Sequence, residues 1–376
     1  MLSVKIVEIK RKKGVSNDKE DKDSDSTDNE NNGSTPKHKG RVIFDATACP
    51  QDIAYPTDLN LVSEAREVSE RLIDRLYAPV LHQKKPRTYR QVARKRYLQT
   101  AQKKNKSKKV IRKAMKAQLD YLRRNIKSIH RLLDAYPDKL PLNKKELKYL
   151  YVIQTLYQQQ LTMFEKKTHT IEDRIVSIHQ PHIRPIVRGK SQAKVEFGSK
   201  IHVSIIDGVS FLDELSWDAF NEGSHLESYI EQYRKRSGYY PEEVLADQIY
   251  CTRANRKMLK EKGIRLLAKP LGRPSAVSIH VSPGERNPIE GKFGQAKTGY
   301  GLNRIKARLR QTSESWIASI FLVLNLVKLA GEALPCLIMK WRRSFSAQLV
   351  QLLKSLYEQL YVSGLEEKDQ SSTLSF

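Results

Sequence analysis

Hydrophobic side chains recur at two different periods along this chain, and the switches between them give an order of elements. The first compact run, Arg41-Val42-Ile43-Phe44-Asp45-Ala46, is short, apolar and β-branched, and it closes on an acid. It predicts a buried strand. Turn chemistry follows at Pro50 and at Pro56-Thr57-Asp58, and a helix is expected from about Leu59 to Tyr77. Over residues 84–131 the pattern is helical: Val110, Ala114, Ala117, Tyr121, Leu122, Ile126 and Ile129 keep roughly 3.6-residue spacing. A further helix is expected over 144–166. Strand periodicity returns, imperfectly, over 193–207; Gly208 fits a hairpin turn, with Asp207 as a turn residue, and 209–217 pairs back. A helix over 224–236 leads to Glu243-Val244-Leu245-Ala246-Asp247, a second short apolar run closed by an acid. A helix near Thr252, a strand over 263–268 and a helix from Arg286 to Lys297 come next. Thr312 or Ser313 is expected to cap a helix ending at Gly331, with Phe321, Leu322, Leu324 and Leu326 as core. Residues 336–362 predict a separate amphipathic helix. With 59–192 set aside, the order suits an α/β fold, a mixed sheet with helices on both faces.

Charge changes this picture most. Lys and Arg number 68 against 42 acids, a net +26, which points to a polyanionic partner, nucleic acid before anionic membrane. Residues 84–131 hold 19 Lys/Arg and one acid, Asp120, so this block carries most of the surplus. So many cations repel one another unless a partner neutralises them. Non-specific contact with the DNA backbone is therefore expected, through residues such as Arg94, Arg112, Arg123 and Arg124. Tyr89, Tyr97 and Tyr121 are read as packing rather than base-stacking residues. Residues 16–32 hold seven acids, two lysines and no apolar side chain, so they are expected to be disordered. The 376 residues allow one large domain with appendages, or two domains. The organisation expected is a disordered leader 1–40, a sheet domain of 41–58 and 193–335, an inserted basic helical module 59–192, and a C-terminal helix and tail 336–376.

Three scattered cysteines, Cys49, Cys251 and Cys336, suggest neither disulfides nor a zinc knuckle. No signal peptide is read at the N-terminus. The apolar stretch 316–327 is read as too short for a bilayer, so no membrane partner is expected. A reducing, cytoplasmic and nucleoid-associated location follows.

Two acids, Asp45 and Asp247, close predicted buried strands, and in open α/β sheets ligands bind at that edge. A carboxylate there is costly unless paired, hydrogen-bonded or bound to metal. Arg286, Glu290 and Lys297, at spacings of four and seven, share one face of a helix and offer a carboxylate flanked by two cations. Phosphodiester chemistry needs an activated water and a stabilised leaving oxygen, and two divalent ions supply both. Magnesium takes oxygen ligands and keeps several waters, so three carboxylates suffice. A chain with 42 acids offers many such triples, and Asp207 is the substitute for any of these three. His179-Gln180-Pro181-His182 has no partner cysteines or histidines for zinc and is read as a loop touching phosphate or packing near the site.

Five blocks in order carry a resemblance: FDATACPQDIAYPTDLNLVSEARE, HQPHIRPIVRGK, VEFGSKIHVSIIDGVSFLDELSWDAFNEG, VLADQIYCTRANRKMLKEKGIRL and ERNPIEGKFGQAKTGYGLNRIKARL. Together they resemble the DDE transposases of the large insertion-sequence family, over roughly residues 41–331. The resemblance implies a ribonuclease-H-like mixed sheet with flanking helices, carrying an all-α basic insertion after the first strand. It implies cleavage of transposon ends and strand transfer into target DNA, with two Mg²⁺ (or Mn²⁺) ions held by Asp45, Asp247 and Glu290. Arg286 and Lys297 match the cations of the family signature, whereas Pro283 stands where that signature has Tyr. Lys292, and the basic patch with Arg304 and Arg308, are expected to hold DNA. The partners implied are double-stranded DNA, as inverted repeats and target, and a second copy in a homodimer. Similar sequences carry a helical domain before the first strand and a longer segment ahead of Arg286, so a truncated copy is expected. An inactive DNA-binding product and a host nuclease of the same fold are the rival readings.

Overall fold

The computed structural model describes residues 38–137, 139–187, 195–268 and 283–371. The disorder expected of 16–32, the leader up to residue 37, residues 193–194, Arg188 and Lys190, and the segment 269–282 lie outside the described residues.

One mixed sheet carries the fold. Its strands are β1 (Arg41–Pro50), β2 (Arg184–Val187), β3 (Val195–Ile206), β4 (Val209–Ser216), β5 (Glu243–Leu245) and β6 (Arg265–Leu267). β1 lies between β3, antiparallel, and β5, parallel, and β6 continues parallel beyond β5. On its other edge β3 pairs first with β2 and then with β4. The β3–β4 hairpin turns at Asp207-Gly208, both with positive φ (50° and 73°), the backbone that a tight two-residue hairpin turn requires. Asp207 is thus the turn residue expected of it. β1 and β3 run so close at Gly198 that an added Cβ would meet the Cys49 carbonyl oxygen at 2.1 Å.

Register fixes which residues face which side. Phe44 opposes Ser204 and Ala46 opposes His202; Asp45 opposes Val203 and Thr47 opposes Ile201. Opposed residues share a face and neighbours alternate. The Phe44/His202 face is covered by α5 (Leu226–Ser237), whose Tyr229 ring stacks on His202 at 3.5 Å. The Asp45/Thr47 face receives α7 (Asn287–Gly299), through side chains described below. This mixed α/β architecture is compatible with the ribonuclease-H-like expectation.

Between β1 and β2 the chain forms α1 (Asp58–Leu76), α2 (Arg90–Ala101), α3 (Lys108–Leu133) and α4 (Lys144–Lys166). Their shared core includes Leu72, Ile73, Leu122, Ile129, Ile153 and Leu156, all at most 2% exposed. Thr57 caps α1, and Asn143 with Glu146 forms a reciprocal capping box on α4. The helical pattern over 84–131 resolves into two helices. Lys103, Lys104 and Lys106 crowd like charge at the break, and the Ser107 hydroxyl accepts from Val110 N to start α3 afresh. Arg66 is 1% exposed and donates to Glu70, Gln118, Ser63 and Glu67.

α6 (Arg253–Glu261) precedes β6, and α8 (Arg310–Ser371) closes the described chain. α8 corrects two expectations. Thr312 and Ser313 lie inside it, and their hydroxyls donate to the Leu309 and Ala307 carbonyls instead of accepting from backbone N–H groups. The helix also passes Gly331 and Pro335 unbroken, so 336–362 is no separate element. Lys328 and Glu332 pair at 3.2 Å across Gly331, one helical turn apart. Phe321 and Leu324 are core as expected, but Leu322 and Leu326 are 37% and 42% exposed. Among the described residues, those from His38 to Phe321 belong to one compact unit and Leu322 onward to another. By length and composition, Arg310–Ser355 is one helix long and apolar enough to cross a membrane.

Candidate active site

Two acids meet because two parallel strands run in register. Ile43 of β1 pairs with Leu245 of β5. Two residues on, with the alternation of an extended chain, come Asp45 and Asp247. Each is at the same height on its strand and on the same side of the sheet. Asp45 does not close its strand as expected: β1 runs on through Pro50 because β3 pairs with it along that whole length, whereas Asp247 lies just past the end of β5 and starts a short 3₁₀ turn by accepting from Gln248 N at 2.7 Å. Their side chains are 20% and 57% exposed, so one acid forms the floor and the other the open rim.

Arg286 bridges them. Its guanidinium reaches Asp45 Oδ2 at 3.3 Å and Asp247 Oδ1 at 3.1 Å. Arg286 sits at the N-terminus of α7, and Pro288 in that first turn costs no hydrogen bond. Near the other end of the helix, Lys297 Nζ donates to Thr47 Oγ1 at 2.8 Å. Thr47 follows Asp45 by two residues and shares its face. Both ends of α7 are thus tied to one strand, while Ile289, Phe293 and Ala296 bury its apolar side. Glu290, one turn after Arg286, is exposed.

Burial pushes the Asp45 carboxyl above its ordinary range, and the negative charges of Asp247 and Glu222 push the same way. The Ala46 backbone N–H, donating at 2.8 Å, and Arg286 oppose this without cancelling it. Two carboxylates therefore share one guanidinium in a place where burial makes the charge of Asp45 costly. Oxygen-only donors in such a place suit a hard divalent cation. Among the described residues, however, no three acidic, histidine or cysteine side chains are gathered as a metal cage. Asp45 and Asp247 share one guanidinium, and Glu290 stands apart from them on its helix.

The remaining expected residues are dispersed. Lys292 is half-buried on α7, Arg304 pairs with Asp52 at 2.8 Å, and Arg308 is exposed. Arg94, Arg123 and Arg124 are exposed on α2 and α3. Arg112 lies 4.0 Å over the Phe164 ring and donates to the Phe164 carbonyl, so it also fastens α3 to α4. His182 packs edge-on against Trp217 at 4.4 Å, and burial lowers its pKa to about 4, as suits a packed ring. Sequence reasoning missed Thr47 and Glu222. Alternation from Asp45 could have revealed Thr47. Glu222, paired with Lys200 at a turn far along the chain, left no local signal.

Comparison with known proteins adds one finding. No curated protein matches the chain. A family model described as Transposase DDE domain matches residues 244–327, a span that holds Asp247, Arg286, Glu290 and Lys297 and supports a DDE transposase.

Proposed function

We propose that this chain is a DDE transposase that cleaves transposon ends and joins them to target DNA, with Asp45, Asp247 and Glu290 as its catalytic acids. The observation that carries the reading is the pair of aspartates, one within β1 and one just past the end of the parallel β5, bridged by Arg286, inside and beside the matched span. Asp45, Asp247 and Glu290 would hold two Mg²⁺ or Mn²⁺ ions, which activate the attacking hydroxyl and stabilise the leaving oxygen when bound. Arg286 then has two tasks. It compensates the aspartates when no cation is present, and it offers a fork of N–H donors to a phosphate. Lys297, steadied by Thr47, places a second positive charge along the same helix. Arg304, Arg308 and Lys292 would hold the strand near the site, and the inserted helices 59–192 would hold duplex backbone.

On this reading the sheet domain comprises 41–58 and 193–335 and has a ribonuclease-H-like fold. The active complex is a homodimer on inverted repeats, in the cytoplasm with the nucleoid. The absence of a gathered three-acid cage among the described residues favours a second reading, a product that binds DNA without cutting it. Incubating the protein with transposon-end DNA and Mg²⁺ separates the two. Strand cleavage by the wild type and none by Asp247→Ala, at equal DNA binding, is the expected result. Equal cleavage by both proteins refutes the acid assignment, and no cleavage by either supports the binding-only reading.

A further inference from the structure

The basic module is more than an evenly charged surface. Between α2 and α3 lies a cavity of about 400 Å³ whose lining includes Arg96, Lys113, Lys116, Arg123 and Arg124, with Asp120 as its one acid. Five cations around one concavity repel each other strongly, and Asp120 offsets little, since Arg123 already pairs with it at 3.5 Å. Such a place draws an anion towards it.

Its walls are also held in position. The Tyr121 ring, 5% exposed, lies under two guanidiniums, 4.8 Å from Arg124 and 5.9 Å from Arg96. Arg124 lies between two rings, since Tyr89 is 5.1 Å from it on another side. Its Nε donates to the Asp120 carbonyl, which fixes the plane of the fork. A stacked guanidinium has lost its rotamer freedom before a ligand arrives, so less ordering cost remains on binding. The spacing of Lys113, Lys116, Asp120 and Arg124 puts them along one face of α3, and Arg96 approaches from α2.

We propose that this cavity is a phosphate clamp that grips the backbone of duplex DNA at one fixed point, setting the register of the helical module on its substrate. The proposal rests on the reading of that module as a DNA-contacting element. It assigns Arg96, Lys113 and Lys116 to phosphate and makes Tyr121 and Tyr89 the residues that position Arg124.

The test uses the full chain and measures duplex DNA affinity across a salt series. Helix content is checked by circular dichroism. The triple change Arg96→Ala, Lys113→Ala, Lys116→Ala is compared with Lys103→Ala, Lys104→Ala, Lys109→Ala, which removes the same charge outside the cavity. With about 0.9 unit of log–log salt slope per phosphate contact, the cavity triple should flatten the slope by roughly 2–3 and the control by less. Arg124→Lys, which keeps the charge and loses the stacked fork, should weaken binding measurably.

Equal slopes for the two triples, or an unchanged affinity for Arg124→Lys, would overturn the clamp. Inorganic pyrophosphate, titrated alone, separates the sources of phosphate. If it binds the wild type and not the cavity triple while duplex affinity is the same in both, the ligand is a free phosphate compound and the DNA assignment falls. Mg²⁺-dependent cleavage by the same proteins keeps the two readings distinct. Failure of the clamp leaves wild-type cleavage intact, and a wild type that never cleaves leaves the slope comparison standing.

Discussion

At the residue scale, Asp45 shows what a functional carboxylate costs its fold. Burial raises its pKa above the unfolded value, and Asp247 and Glu222 add repulsion. A raised acid is favoured in its neutral form, so the folded state is penalised increasingly as pH rises from the unfolded-state pKa, and fully above the folded-state pKa. Asp45→Asn removes that penalty and keeps an oxygen to accept from Ala46 N. The variant should therefore melt at a higher temperature than the wild type at neutral pH. The gain should shrink as pH falls through the raised pKa and vanish where both forms are neutral. Thermal melts at several pH values decide this; a lower melting temperature for Asp45→Asn at neutral pH would refute it. Glu222→Gln removes one of the two like charges, so Asp45 should titrate at lower pH in that variant, read by carboxyl NMR shifts.

At the element scale, a single residue is central to the β1–β3 contact and another to the α1–α3 contact. Gly198 lets β3 approach β1, and a methyl there collides with the backbone of Cys49. Gly198→Ala should cost about 1–3 kcal/mol or more, as overpacking does, and urea unfolding measures it. In the helical module Arg66 serves Glu70, Gln118 and Ser63 from a buried position. Arg66→Ala leaves Glu70 buried without its cation, a change expected to cost roughly 3–5 kcal/mol. A loss under half a kilocalorie per mole in either experiment would show that the contact is not specified as described.

The same elements show what the sequence makes legible. The strands that carry Asp45 and lead to Asp247, though not their ends, were readable, as were α1, α4 and the hairpin at Asp207, because each has a local cause: a β-branched run, a capping residue, or a residue that tolerates positive φ. The split between α2 and α3 was not, because the apolar spacing continues on both sides and only like-charge crowding and the Ser107 cap break it. Neither was the unbroken α8, whose interior Gly331 and Pro335 are ordinary stop signals. For the site, local pattern gave the two aspartates and the Arg286–Lys297 helix face. It could not give Arg286 as a bridge or Lys297 on Thr47, which arise when α7 docks on a strand some 240 residues earlier.

At the scale of the whole molecule, charge is divided by task. The net +26 is concentrated in the inserted helices, whereas at the edge where Asp45 and Asp247 meet the two carboxylates share the Arg286 guanidinium. On the proposed reading one surface would hold the polyanion, and at the other a cation would take over from Arg286 as the partner of the two aspartates. Binding and chemistry should then separate cleanly. A protein carrying both Asp45→Asn and Asp247→Asn should keep the wild-type salt dependence of duplex binding, which for 6–10 phosphate contacts falls by about 10³–10⁵ between roughly 50 and 200 mM salt. It should at the same time lose any change in melting temperature that added Mg²⁺ produces in the wild type, since a ligand stabilises only the state that binds it. If the doubly substituted protein binds DNA with a markedly different slope, the edge where the two aspartates meet is part of the DNA-holding surface. If it keeps a full Mg²⁺ response, the ions bind elsewhere, and the two aspartates are held by Arg286 for structure alone.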